Sequence, residues 1–327
     1  MEIRVILRGA LAGAFAGLLG FVFEHIFAEP WINKAIAYEY KRDAVLTAMN
    51  HAAGRQFSVS DPEIFSRATQ SSIGAASALI GFGVAMGALV AVVYLVLHGR
   101  MGIRPRNLVW AIAGFGFLGV YLLPFVKYPA NPPSIGHPFT IHTRGQLYVM
   151  MVVGSLVLLG LAVFLGRRLR PRFGAVGATV LAGVAFLVAY SILIGVLPSL
   201  GDLNANLAQV HQFGYARAAT ETPQPIVNIL SRPLTFGGKT YAPGQVVFPG
   251  FDADVLWKFR WYSVINQVLV WTVLALGFGA LLDRLDRPRR ARPAGSSADA
   301  ADAASAADAA GAAGQDSQPA KPVEAAS

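Results

Sequence analysis

The 327-residue chain contains no cysteine. That excludes disulfides, thiolate metal sites and thiol redox chemistry. Charge is scarce as well. Asp, Glu, Lys and Arg make up 14% of the residues, where a soluble domain carries about 25%. There is no complete Gly-x-x-x-x-Gly-Lys-Ser/Thr phosphate loop, so ATP binding by this chain is not expected. There is no H-E-x-x-H helix and no Gly-x-Ser-x-Gly elbow. No acid, base and nucleophile converge in the sequence, so no enzyme and no resident cofactor are expected.

What is present is apolar. Hydrophobic residues account for 54% of the chain, and the mean hydropathy is +0.50. A bilayer core of about 30 Å needs about 20 apolar helical residues per crossing. Six runs qualify, at about 5–27, 73–97, 108–126, 146–165, 174–197 and 263–282. Lipid admits only helices and closed barrels, and the period-2 alternation of barrel strands is missing. The expected fold is all-α: a polytopic membrane helical bundle of six transmembrane helices. The first run is expected to be a retained span, because Ile26 occupies the −3 position before the nearest small-residue cleavage point.

The net charge of +9 reads as topology rather than nucleic-acid binding. Arg4 and Arg8 precede the first run; Arg100, Arg104 and Arg106 follow the second. Arg167, Arg168, Arg170 and Arg172 follow the fourth, and Arg284, Arg287, Arg289, Arg290 and Arg292 the sixth. Clusters at alternate turns predict an N-in, C-in arrangement, with headgroup lipid against the arginines. The long connections 28–72 and 198–262 then fall outside. The membrane domain is expected over 1–285. A disordered cytoplasmic tail is expected over 286–327, which lacks aromatic residues and is rich in Ala, Asp, Ser and Pro. No internal repeat is visible.

Polar groups in or beside spans are costly and therefore informative. Gly9, Gly13, Gly17, Gly20 and Glu24 follow one another at steps of four, four, three and four. Those steps keep to one helix face, and the small residues predict close approach by another helix. Glu24 therefore belongs to a packed face, near the outer mouth. His25 is its neighbour, and Glu29 lies one turn on from His25. Two readings of Glu24, His25 and Glu29 stay open. One is a site for a first-row metal. The other is a helix-end carboxylate paired with Lys127, with His25 at the interface. His51, His137, His142 and His211 fall in the expected external loops, and only His98 lies inside. Of these, His137 and His142 are candidate metal ligands. Lys127, Asn131, Asn266 and Gln267 are candidate pathway or gate residues. Asn131 sits in a stiff proline-rich mouth segment, and Asn266 and Gln267 are amides within the sixth run.

Several motifs together resemble a known family. They are Ile-Leu-Arg-Gly-Ala-Leu-Ala-Gly at 6–13, Phe-Ala-Glu-Pro at 27–30 and Ala-Ile-Ala-Tyr-Glu at 35–39. To these add Lys-Tyr-Pro-Ala-Asn-Pro-Pro at 127–133 and Phe-Asp-Ala-Asp-Val-Leu-Trp-Lys-Phe-Arg at 251–260. Over about residues 1–285 the chain resembles the predicted cobalt transporter subunit CbtA family. The resemblance implies a multi-pass protein of the bacterial inner membrane that imports Co²⁺ for cobalamin synthesis. It also implies a small single-span, histidine-bearing partner of the CbtB type. The alternative is a non-transporting scaffold or accessory subunit that stabilises that partner. The stretch from Pro198 to Pro249 is longer than the family leads one to expect. Its Gly-Gly-Lys-Thr-Tyr-Ala-Pro-Gly-Gln run suggests a small hairpin.

Overall fold

The computed structural model describes residues 2–55 and 64–286. The tail expected over 286–327 lies, beyond its first residue, outside the described residues. Five helices among the described residues are long and apolar enough to cross a membrane. They are α1 Glu2–Ala52, α2 Arg67–Leu97, α3 Pro105–Lys127, α4 Ile141–Val196 and α5 Ala253–Asp286. The first compact unit is Met1–Leu282, and residues 283–286 belong to the second.

Two of the six expected runs, 146–165 and 174–197, fall within α4. This 56-residue stretch is broken at Gly174, whose φ of 69° and ψ of −180° are not helical. A residue with a Cβ would be strained there. The two arms fold back on each other. A methyl group on Gly166 would touch Ala182 at 3.5 Å, and one on Gly154 would meet Leu193 at 2.8 Å.

The connection expected to be a loop from residue 28 begins instead as helix, since α1 continues to Ala52. Pro30 has no N–H and crowds the carbonyl four residues back, which argues for a break. The chain avoids the break by widening into a π-helical turn over Glu24–Ala28, just before the proline. A second π-helical stretch, Phe117–Leu122, precedes Pro124 in α3. There the Val120 carbonyl, four residues before Pro124, accepts instead from the Tyr148 hydroxyl at 3.1 Å. A third, Gln70–Gly74, lies in α2, where the Ser71 and Ser72 hydroxyls both donate to the Ala68 carbonyl. Serine hydroxyls bonded back in this way bend helices.

The glycine face of α1 packs as its spacing predicts. A methyl group on Gly9 would overlap the Gly87 carbonyl, and one on Gly13 the Gly83 carbonyl. Gly17 meets Leu79 and Ile80 in the same way. The pairs run antiparallel in constant register, so α1 and α2 touch backbone to backbone, as small residues allow. On its other side α1 meets α5. Arg8 donates to the Leu281 carbonyl at 2.7 Å, Gly20 faces Val270 and Asn266, and Phe23 and Phe27 flank Tyr262. The Arg106 side chain approaches Gly279, and Arg167 donates to the Met101 sulfur at 3.4 Å. Arginines from α1, α3 and α4 thus gather at one end of the bundle.

The opposite end carries a cap. Strands β1 Ile226–Val227 and β4 Val246–Phe248 pair antiparallel, as do β2 Leu234–Phe236 and β3 Lys239–Tyr241. The second pair is the hairpin suggested by the glycine run. Gly237 and Gly238, at φ 57° and 75°, take the two left-handed positions of its turn. Val45 and Met49 of α1 pack with Ile226, Leu234 and Val247. Each such side chain contributes about 1.5–3 kcal/mol when fully buried. The last turns of α1 are therefore the wall of the cap.

Candidate functional site

Glu24 opens the π-helical turn of α1, one turn beyond Gly20. Gly20 has no side chain, so Asn266 of α5 packs against it, 3.2 Å from where a Cβ would stand. Tyr262, one turn before Asn266, lies against Phe23 and Phe27. Glu24 is therefore level with the α5 turn that runs from Tyr262 to Asn266. Its Oε2 is buried with no hydrogen-bond partner. Asn266 is 9% exposed, and its Oδ1 is likewise buried without a partner. Two oxygen acceptors thus sit on facing helices with nothing donated to them. Glu24 as a whole is half-buried, and a carboxylate oxygen closed off from water without a donor is costly. The charged groups acting on Glu24 are Glu29, His25 and Arg67.

The expected grouping of Glu24, His25 and Glu29 does not assemble. His25 is exposed, with its ring 5.7 Å from that of Phe21, a turn back on the same helix. Glu29 is buried and held by Arg67 at 2.5 Å, and Arg67 also donates to Asn33 at 3.2 Å. That pair continues the antiparallel register of the glycines. The alternative partner, Lys127, forms no ion pair among the described residues and lies 5.8 Å over the Tyr128 ring. His137 and His142 are not joined to the others. His137 is half-buried between the rings of Phe139 and Tyr215, and His142 is exposed on the first turn of α4. Among the described residues no three His, Asp or Glu side chains are grouped to hold a metal. Gln267, beside Asn266, is half-buried.

Asn131 is a clamp. Its Oδ1 accepts from Arg260 at 2.9 Å and its Nδ2 donates to the Thr220 carbonyl at 2.8 Å. Arg260 also donates to the Ala130 carbonyl at 3.0 Å. The proline-rich segment after α3 is thus tied to both α5 and the cap. A cavity of about 200 Å³ lies at this corner, bounded by Tyr121, Tyr128, Asn131, Arg144 and Tyr148. The Tyr121 hydroxyl is buried without a partner.

Sequence reading missed Arg260 in this role, and it missed Glu221 altogether. Glu221 is 2% exposed and accepts from Asn206, Thr140 and the His137 backbone N–H, with Arg144 Nε 3.4 Å away. Burial holds the His137 imidazole below the usual histidine range; Glu221 acts against that shift, and Arg42 and Arg144 act with it. These bonds pin the cap to the start of α4. Glu221 lies in a polar stretch with no periodicity, so the sequence carried no signal for it.

In comparison with known proteins, residues 2–283 match the model of a family described as probable cobalt transporter subunit (CbtA). No curated protein and no solved structure matches the chain.

Proposed function

Because the chain belongs to the CbtA family of probable cobalt transporter subunits, we propose that it conducts Co²⁺ across a membrane along a path that includes Glu24 and Asn266. The observation that carries this reading is the pair of buried, unpartnered oxygens on facing helices. A divalent ion supplies what the pair lacks: positive charge beside Glu24 and a partner for Asn266 Oδ1. Two oxygens replace only part of a hydration shell. The remaining positions stay with water or are filled by imidazoles of a small single-span partner of the CbtB type, since cobalt accepts nitrogen as readily as oxygen. The chain is read as a conduit and not as a catalyst, with the ion as cargo.

The multi-pass arrangement is read as six crossings, with the two arms of α4 counted separately on either side of Gly174. The arginines at one end favour a cytoplasmic position for that end and for both chain termini. In a bacterial inner membrane the ion then enters from the cap side, and cobalamin synthesis is the use proposed for it.

The test is cobalt uptake by cells that depend on this chain. Glu24→Gln is expected to abolish uptake at unchanged membrane abundance, and Glu24→Asp to retain part of it. Normal uptake by Glu24→Gln removes this carboxylate from the path. A second reading, a scaffold that only stabilises its partner, draws support from the lack of a three-ligand group among the described residues. It expects partner recovery to follow the glycine seam and to ignore Glu24. Cobalt flux in liposomes that contain this chain and its partner, abolished by Glu24→Gln, decides against the scaffold.

A further inference from the structure

The two arms of α4 do not close against each other along their whole length. Toward the cap, Leu193 fills the space at Gly154 and Tyr190 is buried. Toward the turn at Gly174, the facing residues are small. A Cβ on Gly166 would meet Ala182 at 3.5 Å and the Ala178 carbonyl at 3.9 Å, and Gly183 has nothing within 4 Å of where its Cβ would stand. A groove of about 550 Å³ results, walled by these residues and by Ala178, with Phe186 at its inner end and Arg167 and Arg170 at its mouth. Among the described residues neither arginine has a carboxylate within ion-pair distance; Arg167 reaches only the Met101 sulfur.

We propose that this groove holds one acyl chain of an anionic phospholipid, with the lipid phosphate bound by Arg167 and Arg170. The arginines lie at the end of the bundle where positive residues gather, the level at which headgroups sit. From Ala175 to Phe186 the groove spans eleven residue steps, about 17 Å of helix. That is the depth of one leaflet, half of a hydrocarbon core of about 30 Å. A transmembrane partner helix would need a groove of the full thickness, and this one ends halfway, at Phe186. Basic pockets between membrane helices select anionic headgroups in this way. The proposal requires that the chain reside in a membrane and is independent of the cobalt reading.

The experiment is native mass spectrometry of the detergent-purified chain, offered phosphatidylglycerol and phosphatidylcholine with the same acyl chains. Bound phosphatidylglycerol is expected to exceed phosphatidylcholine by about thirty-fold, as two arginines near an anionic headgroup imply. Arg167→Gln with Arg170→Gln should erase that preference. Gly183→Leu should remove the bound lipid with both arginines in place. Its new side chain enters open space, so the fold is kept. Gly160→Leu, also into open space but away from the groove, should bind lipid as the parent does. Equal binding of the two lipids overturns the proposal. So does lipid retained by Gly183→Leu, or inorganic phosphate that displaces the lipid while leaving the groove empty of acyl chain.

Discussion

Arg67 donates to Glu29 at 2.5 Å across the seam between α1 and α2. The bond lies in the same antiparallel register as the contact of Gly13 with Gly83. It neutralises the second carboxylate of the expected metal grouping, and it leaves Glu24, about one turn away, as the acidic group without a partner.

That pair should be worth more together than apart. Glu29 is buried and Arg67 partly exposed, so the cost of breaking it falls below that of a fully buried pair. Arg67→Met is expected to lower stability by about 1–3 kcal/mol. Adding Glu29→Gln should recover part of the loss, because no charge is then left buried alone. Thermal unfolding of the two single variants and the double variant measures the coupling; strict additivity contradicts it.

The glycine seam should tolerate no side chain. Gly13→Leu drives carbon into the Gly83 backbone, and helix backbones cannot yield as a side chain does. Loss of about 1–3 kcal/mol or failure to fold is expected. Gly81→Leu is the control, since Gly81 has open space around it. Similar melting temperatures for the two variants contradict the close packing.

Asn266 should show opposite effects on stability and transport. Its Oδ1 is buried without a donor, so Asn266→Leu removes an unsatisfied group and is expected to stabilise the fold by about 1 kcal/mol. Cobalt uptake should fall at the same time, as happens where function relies on a costly site. A variant that is more stable and fully active assigns the amide to packing alone.

His137 gives the cap a dependence on pH. Its imidazole titrates below the usual histidine range because it is buried. As pH falls through about 6.5, the unfolded chain takes up the proton before the folded one does. Stability is therefore intact above that pH and declines as pH drops toward the folded value. Asp43, in the cap half of α1, acts in the other direction, because burial pushes its carboxyl up. The test is accordingly a difference: unfolding of the parent minus that of His137→Gln, followed from pH 7 to pH 5. A flat difference removes His137 as the source.

The sequence displayed the seam and hid the bond beside it, for physical reasons. Glycines at steps of three and four declare a packed face whatever the partner is. The hairpin at Gly237 and Gly238 is declared just as locally. Glu29 and Arg67 are 38 residues apart, and no local pattern reports that they meet. The same holds for Glu221 and Arg144, and for Asn131 and Arg260. Pro30 concealed the length of α1 because a proline reads as a stop, whereas a widened turn before it lets the helix proceed. Hydropathy also found the two arms of α4 separately, although they form one helical stretch bent at Gly174.

The uninterrupted course of α1 has a mechanical consequence. At 1.5 Å per residue its 51 residues extend about 75 Å, far more than a bilayer is thick. The widened turn at Glu24–Ala28 lies near the middle, like a fulcrum, with a lever arm on each side. No loop separates the two arms, so the helix that walls the cap is the same one that carries Glu24 between α2 and α5.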